Sequence, residues 1–510
     1  MSIQDDLKES SLDLYTKLFS ESTIALAETH VKRNAEDAKR PHFEPKPQAK
    51  LAVAPPFILI PENDENHDKD WTEKFASEAL AHGMENLPVE DVINDWPSRE
   101  EAIESAYELY KDKVPKIIVD WKNPTSDEAF THLVFQGIGA HRLERAKSSN
   151  KDAEFMVDLS WMQAYPVREK YEKYGSIAYF GADRKPVGIF EPKQDKMIRP
   201  GDKGWEGAKW RFRSSLFTAV TLTDHLGYTH YLVSNTLTTV TIEQLSTDHP
   251  LRYLLTPFIF GAADINREAY FTLSNKGGIA HRCFAMEHEG VLRCVLKGVE
   301  AATLETFEES MVRRGVDGLG EDYPYGEDGL KLVKIMEQLA DEYMSVYYDG
   351  DDLVNDPHIK AWWSAINRQA PNLEIGKLET RDCFLRLLSH FMFVVTGYHG
   401  QVGNIAQYTL DPTFIGTKLR GDLEEQEISD LQSHAQMVTL TITTGLGQPH
   451  LMENFDHILS KDKTDSAINV FKTYRGRLKA LSEDIKALNT QRSLPLETFN
   501  PEVLTSSVST

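Results

Sequence analysis

Residues 210–245 read WRFRSSLFTAVTLTDHLGYTHYLVSNTLTTVTIEQL, and the fold turns on what this run becomes. It is too long and too apolar for a surface element, which would carry a polar stripe along one side. It reads as a buried helix, because burial outweighs the small helix penalty of its many β-branched residues. Two histidines, His225 and His230, lie within it. A second apolar run, CFLRLLSHFMFVVTGYHGQV at 383–402, also lacks a clean polar face and carries His390 and His399. Two long buried helices with inward histidines predict a mainly α fold.

Working outward, DEAFTHLVFQGIGAHRLER at 127–145 predicts a short helix and then a glycine-bearing turn. A β-like stretch at 176–190 supplies a minor β component. Helical rhythm recurs near Trp71, at Pro97 to Tyr110, and as far as Leu488, as in SAINVFKTYRGRLKALSEDIKAL. The tail LPLETFNPEVLTSSVST has prolines and no helical stripe, so it either dangles or is threaded back into the body. At the other end, a helical rhythm up to about Ala38 gives way to RPHFEPKPQAKLAVAPPFILIPENDENHDKDW, whose prolines forbid a continuous helix. The expected organisation is an amino-terminal helix and proline-rich arm at 1–70, followed by one catalytic domain at 71–510.

The totals narrow the function. A formal charge of -23 repels phosphate backbones and acidic headgroups, which argues against nucleic acid and steady docking on anionic membranes. No stretch reaches the roughly 18 unbroken apolar residues of a membrane span. The amino terminus shows neither a basic nor an apolar signal region, and three cysteines give no paired framework, so a cytoplasmic protein is expected. GxSxG, the phosphate-binding GxxxxGK[ST] and HExxH are all absent, leaving serine hydrolase, NTPase and zincin chemistry without support. The acids of EDYPYGEDG at 321–329 lack Ca²⁺-loop spacing, so this stretch reads as a solvated turn with two core-directed tyrosines. Trp362 and Trp363 read as core and cleft packing.

His225 and His230 are five positions apart. At roughly 100° per residue an α-helix would set them about 140° apart, too far round to meet one ion. A single π-bulge would bring i and i+5 onto one face, and such bulges occur mostly at functional sites. The other reading makes one of them a hydrogen-bonded core histidine. His399, with Asn404 five positions on, ends the second apolar run. An imidazole and an amide oxygen suit Fe(II) or Mn(II), which accept mixed nitrogen and oxygen donors and keep positions open.

Taken in order, the segments from about Asp127 onward resemble lipoxygenases. WEGAKWRFR resembles the family's W-x-x-AK, HLGYTH follows, and LSTDHPLRYLLTP resembles L-x-x-x-HP-x-x-x-LL-x-P. DINREA and LSNKGGI, then RRGV, EDYPYGEDGL, EYMSVYYDGDDLVNDPHIKAWW, TGYHGQVGNIAQY and the final SSVST appear in family order. The resemblance implies a lipoxygenase-like helical catalytic domain with long buried central helices and one iron, or manganese, per chain. It implies an oxidoreductase that removes hydrogen from a bis-allylic carbon of a polyunsaturated lipid acid and adds dioxygen to the pentadienyl radical. The family's amino-terminal β-sandwich has no counterpart in the sequence.

The resemblance also implies a ligand set. Counted without gaps from Lys209, the family's two helix ligands fall on Val220 and His225; a slip of five places them on His225 and His230. His399 matches the second-helix ligand. Four residues later, where Asn or His is expected, stands Gly403, with Asn404 one step beyond. The terminal carboxylate would belong to Thr510. The expected metal set is therefore His225, His230, His399, Asn404 and Thr510, with no catalytic residue beyond the ligands. Lys276, in NKGG, brings a charge near the expected oxygen-access region. Three functions follow: a dioxygenase of polyunsaturated fatty or polyene acids, an enzyme of altered chemistry making a specialised metabolite, and a non-catalytic lipid-binding homologue without metal.

Overall fold

The computed structural model describes residues 123–146, 152–246, 248–421 without 404, 410, 412 and 413, then 450–456, 464–492 and 495–508, with small pieces at 49–50, 59–60 and 104. The helices expected near Trp71 and at Pro97 to Tyr110, and nearly all of the arm expected at 1–70, lie outside the described residues. Within that arm, Ala49–Lys50 and Leu59–Ile60 pair as antiparallel strands.

The expected short helix forms as α1, Asp127–Phe135, with Ser126 accepting from the Ala129 amide at its start and two acids in its first turn. The β-like stretch belongs to a five-stranded antiparallel meander in sequence order: β1 Glu144–Arg145, β2 Phe155–Asp158, β3 Ile177–Phe180, β4 Pro186–Glu191 and β5 Lys196–Ile198. Its inner face presents Ala178, Phe180 and Ile189, all fully buried. Phe180 meets Phe130 of α1 at 5.4 Å, and Phe130 stands edge-on to Phe212 of the central helix, also at 5.4 Å. The sheet is a cover, with α1 as the layer between it and the central helix.

That central helix is continuous from Trp205 to Gln244 in three parts: α2, Trp205–Ala219; a π-helical stretch, Val220–Ser234; and α3, Asn235–Gln244. Most of its side chains are buried, as its lack of a polar face demands. Around it stand α4, Pro250–Ile259, α5, Ala262–Ala269, and α6, His288–Glu300. Further out α7, Phe307–Arg314, packs on α8, Pro324–Tyr347, while α9, Pro357–Gln369, lies directly on α3, where its fully buried Trp362 donates to Thr241 Oγ1 at 3.0 Å. The second apolar run is likewise one continuous helix: α10, Arg381–Phe393, a π-helical stretch, Val394–Tyr398, and α11, His399–Gly403. The long α12, Thr464–Asn489, packs along α8.

Two expectations need correction, and one left open is decided. The distortion between His225 and His230 is a fifteen-residue π stretch instead of a single bulge, and the second helix has a π stretch of its own. Residues 321–329 are not a solvated turn, because Pro324 opens α8 with the fixed φ a first helical position favours. Asp328 is 1% exposed there and is held by both terminal nitrogens of Arg492, at 2.7 and 2.9 Å. Tyr323 and Tyr325 do point into the core. Of the two fates open to the tail, 495–508 is threaded back: Leu504 and Val508 are buried, and Ser507 Oγ donates to the Phe260 carbonyl at 2.9 Å.

Candidate metal centre

The π stretch brings His225 and His230 to one side of the central helix, since i→i+5 bonding stacks residues five apart. The hydroxyl of Thr229 donates to the Asp224 carbonyl at 2.8 Å, and that of Thr223 to the Cys294 carbonyl of α6 at 2.8 Å. Packing against α6 is backbone on backbone. A Cβ on Gly227 would lie 2.2 Å from the Val295 carbonyl oxygen, and one on Gly298 would lie 2.0 Å from that of Thr223. Glycine at both positions is a condition of the close approach. Beside the histidines, Asp224 is gripped by Arg142 through two 2.7 Å bonds and by His141 at 2.7 Å. Burial alone would push its carboxyl up, but the Arg142 guanidinium holds it below the usual range.

The second helix presents His399 just after its own π stretch. Three imidazoles meet. His225 Nε2 lies 3.0 Å from His399 Nε2 and 3.0 Å from His230 Nε2, and all three nitrogens fall within 4.8 Å of one another. His230 and His399 are buried and His225 half-buried. Burial, followed by the neighbouring rings of His230 and His399, drives the His225 pKa well below its ordinary value, so its ring is neutral. Opposite the cluster, Asn266 of α5 is fully buried and turns its Oδ1 to His230 Nδ1 at 3.0 Å. That contact places the ring proton on Nδ1 and leaves a lone pair on Nε2.

This donor set fits a metal ion. One Nε2, that of His225, faces two others at the same short distance and cannot form a proper hydrogen bond to both. A cation accepting all three lone pairs satisfies them together. There is also room for it: a Cβ on Gly403 would stand 3.0 Å from His225 Nε2 and 3.3 Å from His399 Nε2, so the glycine leaves space beside the converging nitrogens. Neutral imidazoles, with an amide orienting one of them from behind, match the donors that divalent iron and manganese accept.

Of the five residues expected from sequence, the structure brings three together; Asn404 and Thr510 lie outside the described residues. Val220, the competing position for the first ligand, is fully buried apolar packing at the start of the π stretch. Tail residue Leu504 packs against Gly400 of α11, where an added Cβ would meet its Cδ2 at 2.4 Å, so the tail runs beside the helix carrying His399. Lys276 is exposed. Sequence reasoning missed the role of Asn266, although DINREA had been matched to the family, because nothing in local pattern tells that an asparagine 36 positions from His230 will face its ring.

More than half of the chain, residues 185–467, matches the family model described as Lipoxygenase. Among curated relatives, "Lipoxygenase 2.1, chloroplastic" of Hordeum vulgare is 26% identical over 397 residues, covering 68% of this chain and 40% of that protein. The epidermal-type polyunsaturated fatty acid (12S)/(13S)-lipoxygenase of Mus musculus is 24% identical over 348 residues, covering 63% and 50%. The chain thus spans about half or less of the length of these relatives. Among solved structures, coral 8R-lipoxygenase superposes with a TM-score of 0.74 at 16% identity, over 95% of this chain and 81% of that one. A LOX solved anaerobically in complex with arachidonate superposes with 0.73 at 17%, over 94% and 81%. At such identities the superpositions establish the mainly helical fold.

Proposed function

The chain belongs to the lipoxygenase family, and on that premise we propose that it is a non-haem metal dioxygenase that peroxidises a polyunsaturated fatty acid or another polyene carboxylic acid. The observation that carries the reading is the convergence of three Nε2 atoms from two π-distorted helices on one point. In this reading His225, His230 and His399 hold one iron or manganese, and Asn404 and Thr510 complete the set. Bound there, the metal would supply the one-electron chemistry that hydrogen removal from a bis-allylic carbon requires.

The protein's share is positioning. Asn266 fixes the tautomer and tilt of His230, Thr229 and Thr223 stiffen the π stretch, and the Asp224–Arg142–His141 cluster anchors the backbone next to His225. Gly403 keeps clear the space beside the ligands. The substrates are a polyunsaturated lipid acid, in line with the relatives' named fatty acids, and dioxygen. Among the described residues no helix is long and apolar enough to cross a membrane, and Cys283, Cys294 and Cys383 are free thiols, which suits the cytoplasmic location we propose.

Elemental analysis of purified protein, followed by linoleate oxidation read as conjugated-diene absorbance, tests the proposal. About one iron or manganese per chain and diene formation are expected. Metal-free protein that stays inert after reconstitution with either ion, yet binds fatty acid stoichiometrically, would replace it with the non-catalytic lipid-binding reading. Gly403, standing where the family's fourth protein ligand is expected, favours one further reading: altered chemistry on a hydroperoxide in the making of a specialised metabolite. Product analysis with linoleate and its hydroperoxide side by side separates the two.

A further inference from the structure

A half-open cleft of about 480 Å³ lies along a part of the π stretch that excludes the metal centre. Thr223, Asp224 and Tyr228 line it, while His225, His230 and His399 do not. Its other walls come from α6 and the turn after it, from α7, and from α10 with the second π stretch. A volume of this size is in the range of small-molecule sites.

The charges in the lining are largely spent on one another. Arg142 is committed to Asp224, Arg313 to Glu305 at 2.5 Å, and Arg314 to the Leu143 carbonyl at 2.7 Å and the Tyr323 hydroxyl at 3.0 Å. Lys297 lies over the Trp161 ring, and Glu144 and Asp158 also line the cleft, so no net positive site results. The cleft therefore offers an anion little, and the ionised Asp224 in its wall disfavours one.

Among the remaining donors in the lining are His390 and Tyr398. His390 is 7% exposed, its Nε2 and the Tyr228 hydroxyl lie 3.1 Å apart, and its Nδ1 is buried without a partner; we assign the proton of that bond to the Tyr228 hydroxyl, which puts the ring proton on Nδ1. A buried N–H left unmade costs about 1–3 kcal/mol, which an acceptor oxygen from a ligand would recover. Burial, followed by the Arg386 charge, lowers the His390 pKa to about 4, so the ring is neutral near pH 7 and keeps this donor pattern. Tyr398 also lines the cleft; its ring is fixed edge-on between His141 and Tyr228, and its hydroxyl forms no hydrogen bond among the described residues. Phe307, Phe393 and Val394 supply apolar wall.

We propose that this cleft is a second small-molecule site, distinct from the metal centre, which takes an uncharged ligand with an apolar, aromatic-sized body and one carbonyl oxygen accepting from His390 Nδ1–H and the Tyr398 hydroxyl. The site needs no metal and stands whether or not the oxygenase reading holds.

Benzophenone is the probe: it is neutral and flat-faced, carries one carbonyl oxygen, and cross-links to nearby C–H bonds on irradiation. Binding to the full chain is followed by titration calorimetry, with diphenylmethane, which lacks the oxygen, and benzoate, which is charged, as the other arms. Benzophenone should bind at least tenfold more tightly than either, with cross-links in peptides spanning 297–314 and 390–398. Tyr398→Phe, which keeps the ring, should lower its affinity about tenfold while the unfolding midpoint in urea stays near that of the parent; His390→Phe should lower the affinity as much, with a lower midpoint from loss of the Tyr228 hydrogen bond. Equal binding of diphenylmethane, preference for benzoate, cross-links elsewhere, or unchanged affinity in a folded Tyr398→Phe protein would each overturn the site. Should His390→Phe fail to fold, Tyr398→Phe and the oxygen-free arm still decide it.

Discussion

The two π-distorted stretches deliver histidines to the same point by different means. Val220–Ser234 runs fifteen residues and must hold two imidazoles in line, five positions apart; Val394–Tyr398 runs five and needs only to aim one. The first is fastened to α6 where glycines let backbone touch backbone, a contact with no give. The second is closed by side chains: Gly397 faces Leu332 and Phe393, and Gly400 faces Leu504. Where two ligands share a helix their register has to be rigid, whereas a lone ligand tolerates a softer setting. The Tyr228–His390 hydrogen bond ties the helix of one stretch to that of the other.

The sharpest way to break this contrast is Gly298→Ala. Its new Cβ would lie 2.0 Å from the Thr223 carbonyl oxygen, and neither backbone can yield. A loss of about 3 kcal/mol or more is expected in urea unfolding, with the metal lost too; near-parental stability would show that α6 and the π stretch are less rigidly joined than described. Gly403→Ala comes next. It intrudes on the metal position and meets only the ring ends of His225 and His399, leaving the backbone contact of the π stretch with α6 alone, and metal affinity should fall about a hundredfold, measured by competition with a chelator, at nearly unchanged stability. Asn266→Leu removes the acceptor that orients His230, so affinity should fall roughly ten- to a hundredfold.

A smaller effect concerns the tie between the stretches. In the fold the His390 pKa is lowered to about 4 from an ordinary 6.5 by burial. Between those values the unfolded chain binds a proton that the folded chain does not, so this residue makes stability fall as pH drops from about 6.5 toward 4 and level off below. His390→Phe should flatten the urea-midpoint profile over that window; an unaltered slope would mean that His390 is protonated in the fold. The smallest effect is expected for Gly400→Ala, about 1 kcal/mol, because the methyl meets the far end of a flexible Leu504 side chain. A loss as large as that of Gly298→Ala would erase the difference between the two stretches.

Much of this was legible in the sequence because burial leaves a compositional trace. The runs at 210–245 and 383–402 had no polar face, and both are buried helices with the histidines inside. The fifteen-residue extent of the π geometry was not legible, since π and α helices use the same residues and differ in which amide meets which carbonyl. The five-residue choice between Val220 and His230 was undecidable for the same reason: the meeting of His230 with His225 and His399 depends on helical pitch, which composition does not encode. EDYPYGEDG misled because its acids read as solvated; Glu321 and Asp322 are exposed, but only the distant Arg492 shows that Asp328 is buried with a partner. Asn266 likewise takes its meaning from a ring on another helix.

The threaded tail has a consequence for the order in which the molecule can be assembled. Segment 495–508 leaves the ribosome after everything it packs against, yet Ser507 closes on Phe260 across 247 positions and Leu504 fills the space at Gly400. Closing so long a loop is costly in chain entropy and slow relative to local helix formation. During synthesis the helix bearing His399 must therefore wait, with an apolar flank uncovered, for a strap that has not yet been translated. A stretch made late is one that the central helices need in order to be finished.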